Sequence, residues 1–302
     1  MGKNCEVREI IGLMFVGNED DILEPCIRHN IRYLDRLTVV LDSKSVDDSL
    51  RIVTNLIAEG LPIDLISQAV HLNLDFRNDF VKKNNAWAYV FIDDDEFIFG
   101  VQPELLRKYI FECESSKYIA LPWKTFIINP NDYDCSDIPR SLKYARKFED
   151  PQYFKVIYIK GESEITHKIG AGAHIVDGLT GISFRDLFLA HYPVRSAKQI
   201  TLKYFASSLD YRLLLRDKLP EGHGWHLRSG FEKMINEDFM SLESLFKESM
   251  AYASTKESFT HDDFQILKLD FCYIRTTKVM DQNIIQLVAK MINAIAPFVK
   301  AI

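Results

Sequence analysis

The chain has 302 residues, 47% of them apolar and 26% charged, which is enough to bury a core and excludes a disordered or fibrous protein. Its 37 basic and 43 acidic residues leave a net charge of −6, so a broad basic surface for nucleic acid is not expected. Five cysteines without CxxC spacing point to a reducing compartment rather than a disulfide framework, and no apolar stretch reaches the about 18 residues of a spanning helix.

The continuous apolar run Ile10–Val16 predicts a strand buried on both faces. Glu19–Leu34 follows with a helical rhythm and acids in its first turn. Leu37–Leu41 is a second strand, Val46–Glu59 a helix stopped by Gly60, and Pro62–Ile66 a short third strand. Phe76–Ala86 reads as a helix, Trp87–Ile92 as the fourth strand, and Pro103–Cys113 as a helix opened by proline. This alternation implies a mostly parallel, Rossmann-like α/β sheet flanked by helices. Tyr118–Pro122, Phe126–Ile128, Tyr153–Ile159 and Leu187–Ala190 are strand-like, and from Arg195 the pattern turns helical, giving a helical C-terminal extension.

In parallel sheets ligands bind outside the carboxyl ends of the strands. Acidic groups fall at three such ends: Asn18-Glu19-Asp20, Asp42, and Asp93-Asp94-Asp95-Glu96. Carboxylates at i and i+2 can share one hard cation, and Mg²⁺ or Mn²⁺ takes its remaining ligands from water and phosphate. A solvated acidic turn is the alternative for 93–96, and helix capping the alternative for Asn18 and Glu19.

These residues resemble the family 2-type glycosyltransferases of GT-A fold, in the branch with an Asn-Glu start, a DxDEF-type metal motif and a later His-Tyr element. The matching positions are Asn18-Glu19, Leu41-Asp42-Ser43-Lys44-Ser45, Asp93-Asp94-Asp95-Glu96-Phe97, Trp123, Arg146, Lys155, His174, and His191-Tyr192-Pro193-Val194-Arg195-Ser196 with Gln199 and Lys203 behind. Lys44 and Val46 stand where the family usually carries Asn and Gly. The resemblance implies a GT-A-like domain over 1–205, its nucleotide-binding half at about 1–100 and its acceptor half at about 101–205, with 206–302 as a helical region outside it. It implies transfer of a sugar from a nucleotide diphosphate sugar to a hydroxyl of a glycan or lipid-linked glycan. Mn²⁺ or Mg²⁺ is the implied cofactor, and polysaccharide assembly in the cytoplasm or at the inner face of the membrane the implied setting.

By this resemblance Asp93, Asp95 and His191 hold the metal. Asn18, Glu19, Asp42, Asp93 and Asp94 line the nucleotide, and a uracil N–H on Asp42 favours a UDP-sugar. Trp123, Arg146, Lys155, His174, Arg195 and Lys203 meet sugar or phosphate. Inverting transfer needs a general base; Asp177 is the first candidate and Glu96 the second, with retention left open. Nucleotidyl transfer usually needs a glycine-rich basic loop, whereas Val16-Gly17-Asn18-Glu19-Asp20 is acidic. A non-catalytic glycan- or nucleotide-binding module would tolerate loss of the acids that this chain keeps.

Gly170-Ala171-Gly172-Ala173-His174 lacks the third glycine of a dinucleotide fingerprint and reads as a tight turn. His223 and His226 have ligand-like spacing but no further ligand beside them, so zinc is not expected; Trp225, like Trp123, is a candidate to stack on a sugar. Arg195 and Lys203, eight apart, are expected on one helix face. Apolar residues at 284, 288, 291, 295, 298 and 302, widened by Ile285, Ile292 and Val299, predict an amphipathic helix. Docking on its own domain is the first expectation for it, a homo-oligomer the second and a peripheral membrane contact the third.

Overall fold

The computed structural model describes residues 8–68, 75–131, 133, 137–163, 167–209, 241–272 and 284–299; His223, Trp225 and His226 lie outside the described residues. Four parallel strands form the nucleus: β1 Ile10–Val16, β2 Arg36–Asp42, β3 Ile63–Gln68 and β4 Ala88–Asp93, ordered β3-β2-β1-β4. Their buried apolar runs suit a sheet covered on both faces. Helices α1 Leu23–Asn30, α2 Ser49–Ala58 and α3 Phe76–Lys83 lie between them in sequence, as the alternation predicts. The predicted helix Glu19–Leu34 is shorter than expected, because α1 passes into a 3₁₀ turn at Ile31–Tyr33.

Beyond β4 the sheet changes character. β5 Glu96–Phe99 leaves the acidic turn directly, and helix α4 Pro103–Glu112 follows. The two predicted strands at 118–122 and 126–128 are one continuous strand, β6 Lys117–Ile127. After α5 Ile138–Ser141 come β7 Tyr144–Arg146, β8 Phe154–Ile159, β9 Thr180–Ile182 and β10 Phe188–His191. β8 pairs antiparallel with both β4 and β6, so the parallel nucleus carries a mixed wing. β10 runs antiparallel to β5 and parallel to β6, which sets His191 opposite Glu96 and Thr125. Gly100 has φ +99, and a Cβ there would lie 1.5 Å from the Asp186 carbonyl oxygen, so only glycine admits this approach.

Past α6 Ala197–Leu209 the described chain resumes with α7 Leu242–Ala251, then an extended stretch containing β11 Phe264–Ile266, then α8 Ile284–Val299. β11 adds to the sheet by pairing antiparallel with β7. Leu245, Tyr252, Ala253 and Phe271 belong to the same core as the parallel strands, so packing shows no break near the expected boundary at 205. α8 packs against α6, with Leu287 and Met291 buried beside Leu202. Of the residues expected to widen its stripe, Ile292 faces solvent instead, 52% exposed. Among the described residues no helix is long and apolar enough to cross a membrane.

Candidate active site

The chain runs from β1 outward to β2 and β3, then returns to place β4 on the other side of β1. The carboxyl ends of β1 and β4 therefore flank the point where the strand order reverses, the position where open α/β sheets bind ligands. Asn18 and Glu19 leave β1 there, beside the turn Asp93–Glu96. The Gly17 amide donates to Asp94 Oδ2 at 3.2 Å and joins the two loops. Carboxylate oxygens of Glu19, Asp94 and Asp95 all lie within 4.8 Å of one another, and all three residues are buried.

Cations from the His191–Lys203 segment face these acids. Arg195 is fully buried and donates to both oxygens of Asp21 at 3.0 Å; it also donates to Glu19 and lies 3.6 Å from Asp95. Lys203, at the middle of α6, puts its ammonium 2.9 Å from Asp95 Oδ2 and 3.8 Å from Glu19 Oε1. Lys198 pairs with Asp20 at 3.1 Å. On the opposite side of the turn, Lys155 of β8 donates to Asp93 Oδ2 at 2.6 Å and to the Gly172 carbonyl at 2.9 Å.

This allocation splits three consecutive aspartates. Burial alone would raise the Asp93 carboxyl, but Lys155 and Arg77 hold it down at about 2. Burial and the neighbouring Asp95 carry Asp94 well above the usual carboxylate range. Burial also pushes Glu96 up to about 8, against Lys155. Lys203 is held above its ordinary value: burial opposes its charge, and Asp95 more than offsets that. The His191 imidazole is neutral, pushed down to about 3 by burial.

The converging oxygen donors are thus Glu19, Asp94 and Asp95, not the expected Asp93, Asp95 and His191. Asp93 is turned to Lys155 instead, and His191 Nε2 approaches only Asp95, at 3.7 Å. Three converging carboxylates, an all-oxygen set, suit a hard divalent cation such as Mn²⁺ or Mg²⁺.

Other expected residues fall as follows. Neither Asn18 nor Glu19 caps α1 with its side chain; Asn18, at φ +61, accepts from the Val46 amide at 2.8 Å and so fixes the loop after β2. Asp42 accepts from the Lys44 amide at 3.0 Å, with the Lys44 ammonium 3.5 Å away. Arg146 has a structural place rather than the expected one at substrate. Buried, it pairs with Glu149 at 2.9 Å and donates to the carbonyls of Met250 and Tyr252 at 2.7 and 2.8 Å. Arg195 precedes α6 and is walled in by carboxylates, so it does not share a helix face with Lys203. Glu96 accepts from the Asp93 amide at 2.8 Å and is fully buried, the geometry of a residue that shapes the turn. Asp177 is exposed and follows the turn closed by the bridge between Ile169 and Val176.

An aromatic wall borders the acids. Trp123 stacks on His191 at 4.2 Å between centroids, with Tyr153 at 5.1 Å and His174 at 5.7 Å. Trp123 Nε1 and His191 Nδ1 are buried without a hydrogen-bond partner among the described residues. Gly172, at φ +66, lets the turn fold over the His174 ring, and His174 Nδ1 meets the Phe154 carbonyl at 2.6 Å. Sequence reasoning missed Asp21 as the main partner of Arg195, and it missed Tyr153 and Tyr252. Asp21 was visible as the end of an acidic run; no pattern marks either tyrosine.

No protein-family model matches the chain, and no curated protein does. Among solved structures, residues 1–349 of S. aureus TarS in complex with UDP overlap it at TM-score 0.38 and 14% identity, covering 76% of this chain and 72% of that one. The same fragment in complex with UDP-GlcNAc overlaps at TM-score 0.39 and 13% identity, covering 74% and 72%. Glucosyl-3-phosphoglycerate synthase from Mycobacterium tuberculosis, in complex with Mn²⁺, UDP-glucose and glycerol 3-phosphate, overlaps at TM-score 0.28 and 17% identity, covering 38% and 44%. These overlaps are partial, and the functional reading rests on the side chains of this chain.

Proposed function

We propose that this chain is a GT-A-type, metal-dependent glycosyltransferase that moves a sugar from a nucleotide diphosphate sugar to an acceptor hydroxyl. The observation that carries the reading is the convergence of Glu19, Asp94 and Asp95 at the switch point between β1 and β4. Glu19, Asp94 and Asp95 would hold Mn²⁺ or Mg²⁺ there, and the ion would supply positive charge for the departing diphosphate. Arg195 fixes Glu19 and Asp95 against mutual repulsion, and Lys155 fixes Asp93 toward the donor ribose. Asp42 lies at the end of β2, where a uracil N–H would meet it, so UDP-sugars are the favoured donors. The Trp123 wall offers an apolar face to a sugar ring, with the Trp123 Nε1–H at its edge without a partner among the described residues.

Inverting transfer needs a base to take the acceptor proton. Asp177 is the proposed base by its place in the chain after the acidic motif, where the resemblance sets such a carboxylate; it is exposed and follows the turn whose Gly172 carbonyl Lys155 holds. The proposed acceptor is a glycan or lipid-linked glycan, in surface polysaccharide assembly at the inner face of the membrane. One observation favours a second reading, a non-catalytic nucleotide-binding module: internal cations already face most of the acids. A panel of nucleotide sugars, screened for thermal stabilisation with and without Mn²⁺ and then for nucleotide diphosphate release, separates the two. Stabilisation by a UDP-sugar with release supports the transferase. Stabilisation without release to any acceptor supports the binding module, and no stabilisation by any nucleotide sugar defeats both.

A further inference from the structure

The oxygen pocket of Glu19, Asp94 and Asp95 already has a tenant. The Lys203 ammonium lies 2.9 Å from Asp95 Oδ2 and 3.8 Å from Glu19 Oε1, between two of the three converging donors. A hard divalent ion binds such oxygens at about 2.0–2.2 Å, and at that position it would share Asp95 with the ammonium. Two cations cannot lie on the same carboxylate oxygens without strong repulsion.

The two resident cations differ in their freedom to leave. Arg195 has no exposed side-chain surface and is pinned by Asp21, Glu19 and the Tyr192 carbonyl. Lys203 hangs from α6 on a flexible stem, 20% exposed; besides Asp95 and Glu19 it meets Tyr252, with which it shares a hydrogen bond and whose ring lies 5.5 Å away. Its ammonium is a mobile point charge suited to phosphate oxygens. We propose that Lys203 is an exchangeable counter-ion: it occupies the carboxylate pocket of the free protein, yields Asp95 to the divalent ion, and moves to the diphosphate of the donor. The proposal rests on the metal-dependent reading above.

Titration calorimetry with MnCl₂ alone, and then with UDP at saturating Mn²⁺, tests it on the full chain with Lys203→Met, Lys203→Gln and Lys203→Arg. Removing the competing cation should tighten Mn²⁺ binding roughly tenfold in Lys203→Met and Lys203→Gln, about the worth of one charge-assisted hydrogen bond. Lys203→Arg should bind Mn²⁺ no better than wild type. UDP affinity at saturating Mn²⁺ should fall in Lys203→Met and Lys203→Gln. Two neutral variants keep the test alive if one fails to fold, as a thermal melt would reveal. Equal Mn²⁺ affinity across the series, or weaker binding in the neutral variants, overturns the exchange while leaving the metal site standing. Tighter Mn²⁺ binding with unchanged UDP affinity overturns the move to the diphosphate. Absence of Mn²⁺ binding in wild type and every variant, with or without UDP, overturns both the exchange and the metal-dependent reading.

Discussion

Strand β5 links two buried clusters of ionisable residues that have opposite characters. At its start, Glu96 closes a turn whose acids face Lys155, Lys203 and Arg195. At its end, Ile98 and Phe99 border His29, which is boxed by the rings of Tyr33, Phe97, Phe99 and Phe271. The His29 Nε2 meets the Ile98 carbonyl at 2.7 Å, and burial lowers its imidazole to about 4. Both clusters hold buried titratable groups. Opposing charges keep ions in the first, and their absence keeps His29 neutral in the second. Burial of a titratable group is therefore no mark of a site by itself; burial together with facing charge is.

The sharpest way to break this contrast is to remove an anion from the first cluster. Asp95 is only 2% exposed and meets Lys203, Arg195 and His191, so it is not on the open polar strand end that its sequence context implies. Asp95→Asn should lower Mn²⁺-dependent transfer by about 10²- to 10³-fold, the usual worth of one group that stabilises charge in the transition state, here by holding the cation. Asp95→Ala should in addition lose about 3 kcal/mol of stability, because it leaves buried cations uncompensated. Wild-type turnover of Asp95→Asn with Mn²⁺ would remove the residue from the chemistry.

Asp177→Asn should lower kcat by about 10²- to 10³-fold, a general base's usual contribution, with donor affinity unchanged. Unaltered kcat in an otherwise active protein would move the base elsewhere. In the second cluster the effect is on stability. An unfolded chain protonates His29 near 6.5, whereas the folded one resists until about 4. Its contribution, about 3 kcal/mol, is present above pH 6.5 and is lost as pH falls from 6.5 to 4. Urea melts across that range should show a shallower slope for His29→Leu than for wild type; identical slopes would show that His29 is protonated in the fold. The smallest effect belongs to Asp42→Ala. It should weaken UDP binding by about tenfold, leaving kcat nearly unchanged, because a base contact is made equally in ground and transition states. Calorimetry giving wild-type UDP affinity would free Asp42 for its pairing with Lys44 alone.

The parallel nucleus was legible because β1, β2 and β4 are dominated by apolar runs set between helical patterns and acidic turns. β7, β9 and β11 have three residues each, too few for any period, and β5 was hidden in the tail of the acidic motif. The location of the acids could be read from their place after strands. Their allocation could not, because which aspartate meets which lysine depends on the path of the turn. The Asp21–Arg195 contact also spans 174 positions that no local pattern connects. Ile292 was misplaced for a similar reason: a stripe gives a face but not its edge, and the edge is set by α6.

The pairing of β11 with β7 bears on how the molecule is made. Among the described residues Arg146 finds its carbonyl partners in Ser249, Met250 and Tyr252, and Phe271 fills the box around His29. A ribosome delivers these pieces long after β7 and α1. Until then the nascent chain carries an open sheet edge and an unfilled aromatic hollow, both liable to wrong partners. Closure of this core must therefore wait for the segment through 272.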